Sequence, residues 1–186
     1  NWGIASFSAG DILRAHATYN EAIGVAQRLS PERAAPFYLQ RNRGVAELEL
    51  ARHDAAMADF EQALSTAQAD GNAGNIALAG IAKALTLLDR GELAAAKALA
   101  AQIRQRHGPS LPKDGMPAVA MMQFDARAAL AEGRWAEARE RYGRVIDFFD
   151  GRGMQVGPVV SALRSRAEAH LQERAYDAAA ADLERA

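Results

Sequence analysis

Between Gly44 and Leu64, apolar side chains recur every three or four residues, with one short polar interruption. Residues three and four apart share one face of an α-helix, so this spacing predicts two amphipathic helices. The interruption at Arg52 to Asp54 predicts the turn between them, with the Asp54 carboxylate as N-cap of the second helix. The stretch therefore predicts a helical hairpin whose two apolar stripes face each other.

The same arrangement recurs along the chain, which indicates an internal repeat. One alanine of the second helix recurs at intervals of 41, 40, 42 and 41 residues, at Ala15, Ala56, Ala96, Ala138 and Ala179. The tight-turn position holds Gly10, Ala51, Gly91, Gly133 and Arg174. The small residue of the first helix is Gly3, Gly44, Ala84, Ala126 or Ala167. The large apolar position of the first helix holds Phe7, Leu48, Leu88, Leu130 and Leu171. The aromatic position of the second helix holds Tyr19, Phe60, Ala100, Tyr142 and Leu183.

These shared positions resemble the tetratricopeptide repeat (TPR) family, whose repeats carry a small residue, a turn glycine, an alanine and an aromatic at the same relative places. The best matches are the segments Gly10 to Ile23, Gly44 to Leu64 and Glu132 to Ile146. The resemblance implies an all-α fold, a right-handed superhelical solenoid of antiparallel helix pairs. The family's standard period is about 34 residues. The longer period here resembles the long-repeat, bacterial-type variety, which also occurs in kinesin light chains.

We expect one solenoid over residues 1–186, with repeats at approximately 1–29, 30–71, 72–115, 116–157 and 158–186. The first and last repeats are each incomplete in this pattern, so we expect the chain to be a piece of a larger protein. Asp11 is predicted to cap the second helix of the first repeat, and Ser30 with Pro31 predicts the start of another helix. The proline-rich segment 107–117 is predicted to be a connector, and a functional loop is the alternative.

Charge and composition limit the classes of partner. The chain has 22 basic and 23 acidic residues, so no overall field attracts nucleic acid or anionic lipid. It has no cysteine, which excludes disulfides and thiolate chemistry. No apolar run approaches the length of about 20 residues that spans a bilayer. We expect a cytoplasmic protein that binds neither nucleic acid nor membrane, and oligomerisation stays open.

The sequence offers little catalytic chemistry. No two of the four histidines have metal-ligand spacing, and no hydrolase, kinase or phosphate-loop motif is present. The glycines between Gly151 and Pro158 follow a predicted helix, whereas a phosphate loop follows a strand. His53 and His170 are interpreted as half-buried packing residues. We therefore expect no enzyme activity, catalytic residue, metal or cofactor.

In the family, the first helices of successive repeats line a concave groove that holds the ligand. Carried over to this chain, the groove residues are Tyr38, Arg41, Asn42, Val45, Glu49, Leu78, Ile81, Leu85, Gln123, Arg127, Ser161, Arg164 and Glu168. This set predicts an apolar floor near Ile81 and Leu85, flanked by arginines that bind carboxylates. Some family members grip acidic chaperone tails with a set of lysines and asparagines. In this chain only Arg41 and Asn42 correspond to part of that set. That kind of clamp is therefore not expected.

Two hypotheses of function follow from the resemblance. The first is a non-catalytic protein-interaction module that binds a peptide segment or a neighbouring domain in the groove. The second is a sensor or dimerisation segment of a bacterial signalling enzyme or transcription regulator, whose catalytic or DNA-binding domain lies outside this sequence. A small-molecule pocket is a third class, and it would require a deep apolar cavity.

Overall fold

The computed structural model describes residues 11–154 and 157–186. Every regular element in these residues is helical. The nine α-helices are α1 (Ile12–Leu29), α2 (Phe37–Glu49), α3 (His53–Ala69), α4 (Ala73–Asp89), α5 (Leu93–His107), α6 (Met116–Ala131), α7 (Trp135–Asp150), α8 (Gly157–Gln172) and α9 (Tyr176–Arg185), and a 3-10 turn spans Gly108–Ser110. The chain divides into two compact units, residues 1–112 and 113–186. Unit 1 contains α1 to α5, and unit 2 contains α6 to α9.

Each unit is built from antiparallel helical hairpins, and consecutive helices within it pack against each other. The hairpins are α2–α3 and α4–α5 in unit 1, and α6–α7 and α8–α9 in unit 2. In unit 1, α1 packs on α2. The hairpins begin and end close to the predicted repeat limits, although α8 begins one residue before the limit predicted for the last repeat. The repeat limits themselves remain a prediction. Gly3, Gly10 and Phe7 of the first repeat, and Gln155 and Val156, lie outside the described residues.

The four turns within these hairpins share one geometry. The tight-turn residues Ala51, Gly91, Gly133 and Arg174 have φ of 56°, 80°, 72° and 60°. The backbone N–H of Ala51 donates to the Leu48 carbonyl, and that of Arg52 donates to the Glu47 carbonyl. The other three turns repeat this pair of hydrogen bonds. The pattern is the Schellman motif, which ends a helix with a left-handed residue, and the predicted turn position is confirmed.

The small residues allow close approach of the paired helices. A Cβ built on Gly44 would lie 2.7 Å from the Phe60 Cε1 atom, which is too close for ordinary packing. The corresponding residues Ala84, Ala126 and Ala167 are at most 1% exposed. The second-helix alanines, from Ala15 to Ala179, are equally buried.

Two predicted core positions are exposed in the last hairpin, Leu171 at 47% and Leu183 at 51%. The equivalent residues of the preceding hairpin in unit 2, Leu130 and Tyr142, are both buried. That hairpin, α6–α7, is followed by α8, which packs on α7. The last hairpin has no such neighbour after it among the described residues, so these two leucines stay open to solvent.

Two predicted helix starts are wrong, and one is confirmed. Asp54 does not cap α3, which begins at His53, so its carboxylate lies in the first helical turn near the positive end of the helix dipole. Ser30 and Pro31 do not begin a helix, because Pro36 disfavours helical backbone at the residue before it and α2 starts after it. Asp11 caps α1 as predicted, since its Oδ1 accepts from the Arg14 N–H at 3.0 Å.

No helix in the described part of the chain is both long enough and apolar enough to cross a membrane. His53 and His170 are half-buried, as predicted.

Candidate functional site

In unit 1, the first helices of two successive hairpins, α2 and α4, contact each other directly. The predicted groove residues on these helices therefore lie on neighbouring helices. We call the accessible members of this set the α2–α4 surface, which comprises Tyr38, Arg41, Asn42, Val45, Glu49, Leu78 and Leu85. Tyr38 is 52% exposed and Glu49 is also exposed, whereas the other five are half-buried. The surface thus combines an aromatic ring, aliphatic side chains, one amide, one guanidinium and one carboxylate.

Ile81 does not belong to this surface. Its side chain is fully buried, with an exposed fraction of 0%. The position equivalent to Ile81 in α2 is Arg41, which keeps part of its side chain at the surface. A buried isoleucine packs the interior and is closed to a partner, so the prediction of Ile81 as a groove contact is corrected.

Arg41 lies in a partly buried cluster with Asn42, which is also half-buried, and Tyr19, which is buried. Its Nη1 donates to the Asn42 Oδ1 at 3.0 Å. Burial raises the pKa of the Tyr19 phenol, while a hydrogen bond with Asn42 and the charge of Arg41 lower it in part. Burial also lowers the pKa of the Arg41 guanidinium. The Arg41 Nε atom is buried and has no hydrogen-bond acceptor among the described residues.

Unit 2 presents a similar pair of first helices, α6 and α8, which also contact each other. The predicted residues here are Gln123 and Arg127 on α6 and Ser161, Arg164 and Glu168 on α8. The first two are half-buried, and the last three are exposed. We call this set the α6–α8 surface.

A polar residue that sequence reasoning missed, Ser165, connects the helices of unit 2. Its Oγ lies 3.5 Å from the Arg127 Nη1. Burial raises the pKa of Tyr142, and hydrogen bonding to Ser165 together with the charge of Arg127 lowers it in part. Tyr142 and Ser165 are 23 positions apart, as are Tyr19 and Asn42. This shared spacing is the signal that could have revealed both clusters.

Ion pairs on other faces of the first helices hold the two helices of a hairpin together. Arg43 donates to Asp59 through Nε at 2.7 Å and Nη2 at 2.5 Å. Arg166 pairs with Asp182 in the same way, at 2.8 and 2.5 Å. Both aspartates are buried. These arginines replace the large hydrophobe usual in the resembled family. Each lies 16 positions before its aspartate, and this spacing is the sequence signal for such pairs.

A cavity of about 350 Å³ adjoins the Arg43–Asp59 pair in unit 1. Its wall includes the side chains of Gln27, Gln40 and Gln62. The lining is therefore largely polar, unlike the deep apolar cavity that a small-molecule site would require.

Comparison with known proteins identifies the fold. No family model matches the sequence, and no curated protein matches it either. Two solved structures match along almost the whole chain. Both are of nearly identical TPR-like repeats from Podosopora anserina, named as a putative kinesin light chain, and one of them is a variant. Each has a TM-score of 0.57 and 16% identity, covering 99% or 98% of this chain and 89% of the other. The chain has a TPR-like repeat fold.

No group of three or more histidine, cysteine, aspartate or glutamate side chains in the described ranges is arranged to hold a metal ion. The α2–α4 and α6–α8 surfaces present guanidinium, carboxylate, amide, hydroxyl, phenol and aliphatic groups.

Proposed function

We propose that this chain is a non-catalytic protein-interaction module that binds a peptide segment, or a neighbouring domain, on the first-helix surfaces of its TPR-like hairpins. The observation that carries the proposal is the α2–α4 surface, where an exposed tyrosine stands beside half-buried aliphatic side chains and an arginine. Tyrosine and arginine are enriched among the residues that dominate binding energy at protein interfaces. TPR-like repeats typically serve as non-catalytic scaffolds for protein partners, which agrees with this proposal.

The test is selection of peptides from a random library against the immobilised chain, followed by affinity measurement with synthetic peptides. Tyr38→Ala should weaken binding by about tenfold or more, because a central aromatic contact contributes about 2 kcal/mol. Tyr176→Ala is the matched control, since Tyr176 is a similarly exposed helical tyrosine, 63% against 52%, on another helix. Equal affinities for wild type and the Tyr38 variant would refute the assignment of this surface.

A further inference from the structure

The cavity beside the Arg43–Asp59 pair is separate from the α2–α4 surface, because none of the residues of that surface lines it. Its base is buried, since Gln40 and Asp59 are only 5% and 6% exposed. Its mouth opens to solvent, since the other two glutamines of its wall, Gln27 and Gln62, are exposed. Its volume of about 350 Å³ is at the lower end of the range for binding pockets, about 300–1,000 Å³. The cavity is therefore large enough to receive a side chain of another molecule.

The two charges at the base of the cavity balance each other. Asp59 accepts from Arg43 at both carboxylate oxygens, over 2.7 and 2.5 Å. The other charged residue of the wall, Arg33, is exposed and keeps its contact with water. A charged ligand would lose its own water without gaining an unpaired opposite charge at the base, which is costly. A neutral polar ligand avoids that cost and suits the cavity better.

The buried amide at the base has hydrogen-bonding capacity left for a ligand. The Gln40 Oε1 lies 3.2 Å from the Thr66 hydroxyl oxygen, and in this orientation the Gln40 NH2 group remains to donate to a ligand. The Thr66 hydroxyl has a single hydrogen, and its oxygen also lies 3.0 Å from the Gln62 backbone carbonyl. When the hydrogen goes to that carbonyl, the reversed Gln40 amide donates to Thr66 and its Oε1 remains to accept from a ligand.

The three glutamines of the wall favour a ligand that both donates and accepts hydrogen bonds. A primary carboxamide has two N–H donors and one carbonyl acceptor, so it pairs with the Gln40 amide in either orientation. A carboxylate only accepts and an ammonium only donates, so each matches half of what an amide offers. Exposed Gln27 and Gln62 offer the same two kinds of group at the mouth. A carboxamide is therefore the neutral group that this lining matches best.

We propose that this cavity, which we call the carboxamide pocket, binds the side-chain amide of an asparagine or glutamine in a partner polypeptide. The pocket is defined by Gln27, Gln40 and Gln62. A free amino acid fits less well, because it carries an ammonium and a carboxylate beside its side chain, whereas a residue within a polypeptide carries neither. The inference goes beyond the proposed function, since the pocket is a second contact site outside the α2–α4 surface.

The first experiment uses glutamine blocked as its N-acetyl, N-methylamide derivative, and it does not depend on finding the partner. The side-chain NH2 resonances of Gln62 are followed by ¹H–¹⁵N NMR during the titration and are assigned by their loss in Gln62→Met. The expected result is a saturable shift at Gln62 and little shift at Gln68, an exposed glutamine of α3 that does not line the cavity. Equal shifts at the two glutamines would overturn the proposal, as would the absence of a saturable shift at Gln62.

Two comparison probes test the chemistry of the ligand. Blocked glutamate has nearly the same shape as blocked glutamine with a carboxylate in place of the amide, and free glutamine keeps the amide but adds both backbone charges. Each should bind about tenfold more weakly than blocked glutamine, because its charge is desolvated without a counter-ion. If blocked glutamate binds as tightly, the pocket recognises an anion and the proposal is wrong. If free glutamine binds as tightly, the ligand is a small molecule and the polypeptide assignment is wrong.

A matched pair of substitutions separates binding from folding. Gln62→Met removes one amide at the mouth and keeps an unbranched side chain, so affinity for blocked glutamine should fall about threefold to tenfold, the effect of one neutral hydrogen bond. Gln68→Met is the control on the same helix and should leave the affinity unchanged. Both residues are exposed, so the urea midpoint of the free protein should stay near the wild-type value in both variants. Equal affinities of wild type and Gln62→Met would refute the pocket.

Discussion

The turns of unit 1 provide a matched pair of substitutions with opposite expected effects. Ala51 and Gly91 occupy the same position of two successive hairpins, with φ of 56° and 80°. Left-handed backbone costs a residue with a Cβ about 1–2 kcal/mol. Glycine avoids this cost but loses about 0.5–1 kcal/mol of extra chain entropy on folding. Ala51→Gly should therefore stabilise unit 1 by about 0.5–1 kcal/mol, and Gly91→Ala should destabilise it by the same amount.

The surroundings of these turns leave backbone strain as the main cause of any change in stability. Ala51 is exposed, so removing its methyl group loses little packing. A Cβ built on Gly91 meets no other atom within 4 Å, so adding one creates no clash. The two substitutions thus measure the same cost of left-handed backbone, which Ala51→Gly removes and Gly91→Ala introduces.

The assay is urea denaturation followed by circular dichroism, comparing midpoints at constant slope. Ala58→Gly is the control, because Ala58 is exposed in the interior of α3 and glycine there should cost about 1 kcal/mol. The reasoning is refuted if Ala51→Gly lowers the midpoint as Ala58→Gly does. It is also refuted if both turn substitutions shift the midpoint in the same direction.

Two further predictions concern packing and pH. Gly44→Ala places a Cβ 2.7 Å from the Phe60 ring and 3.1 Å from the Asp59 Cβ, and overpacking of this kind costs about 1–3 kcal/mol against about 1 kcal/mol gained in helix propensity. The free energy of unfolding of unit 1 should therefore fall by about 1 kcal/mol on balance, and by less in a Phe60→Leu background. A rise in the urea midpoint for Gly44→Ala would contradict the close approach of the two helices. Burial raises the folded-state pKa of Tyr142 above its ordinary value of 10.0. Its neutral form is thus favoured on folding, so the stability it contributes is present below pH 10 and is lost as pH rises through the folded-state pKa. Tyr142→Phe should weaken the loss of stability above pH 10, and an unchanged pH profile would show that another group is responsible.

The periodic features of the fold were predictable from the sequence because each depends on a residue and its neighbours in one hairpin. The tight-turn position is the clearest case. Alanine at position 51 and arginine at position 174 do not signal a turn alone, yet alignment with Gly91 and Gly133 predicts a tight turn at all four. In the structure all four residues have left-handed backbone. Two of the three predicted helix starts failed, and in one of them local signals competed. Ser30 and Pro31 have the composition of a helix start, and Pro36, five residues later, prevents it.

The candidate site was less predictable because its properties depend on contacts between repeats. Arg41 and Ile81 occupy equivalent positions, yet one reaches the surface and the other is fully buried. The cluster of Arg41, Asn42 and Tyr19 joins two successive repeats, so its members meet only after the helices stack. The pattern of residues in one sequence predicts on which face of a helix a residue lies. How deeply that residue is buried depends on the helix that packs against that face.

The ion pairs within the hairpins also bear on how a chain of similar segments avoids mispairing. In α6–α7 the charges are exchanged, so that Asp125 is on the first helix and Arg141 on the second, 3.4 Å apart. If the first helix of that hairpin paired with α3, Asp125 would face Asp59. If α2 paired with α7, Arg43 would face Arg141. Like charges at such short range repel, so the reversal gives these two hairpins different electrostatic identities and penalises helix exchange between them during folding.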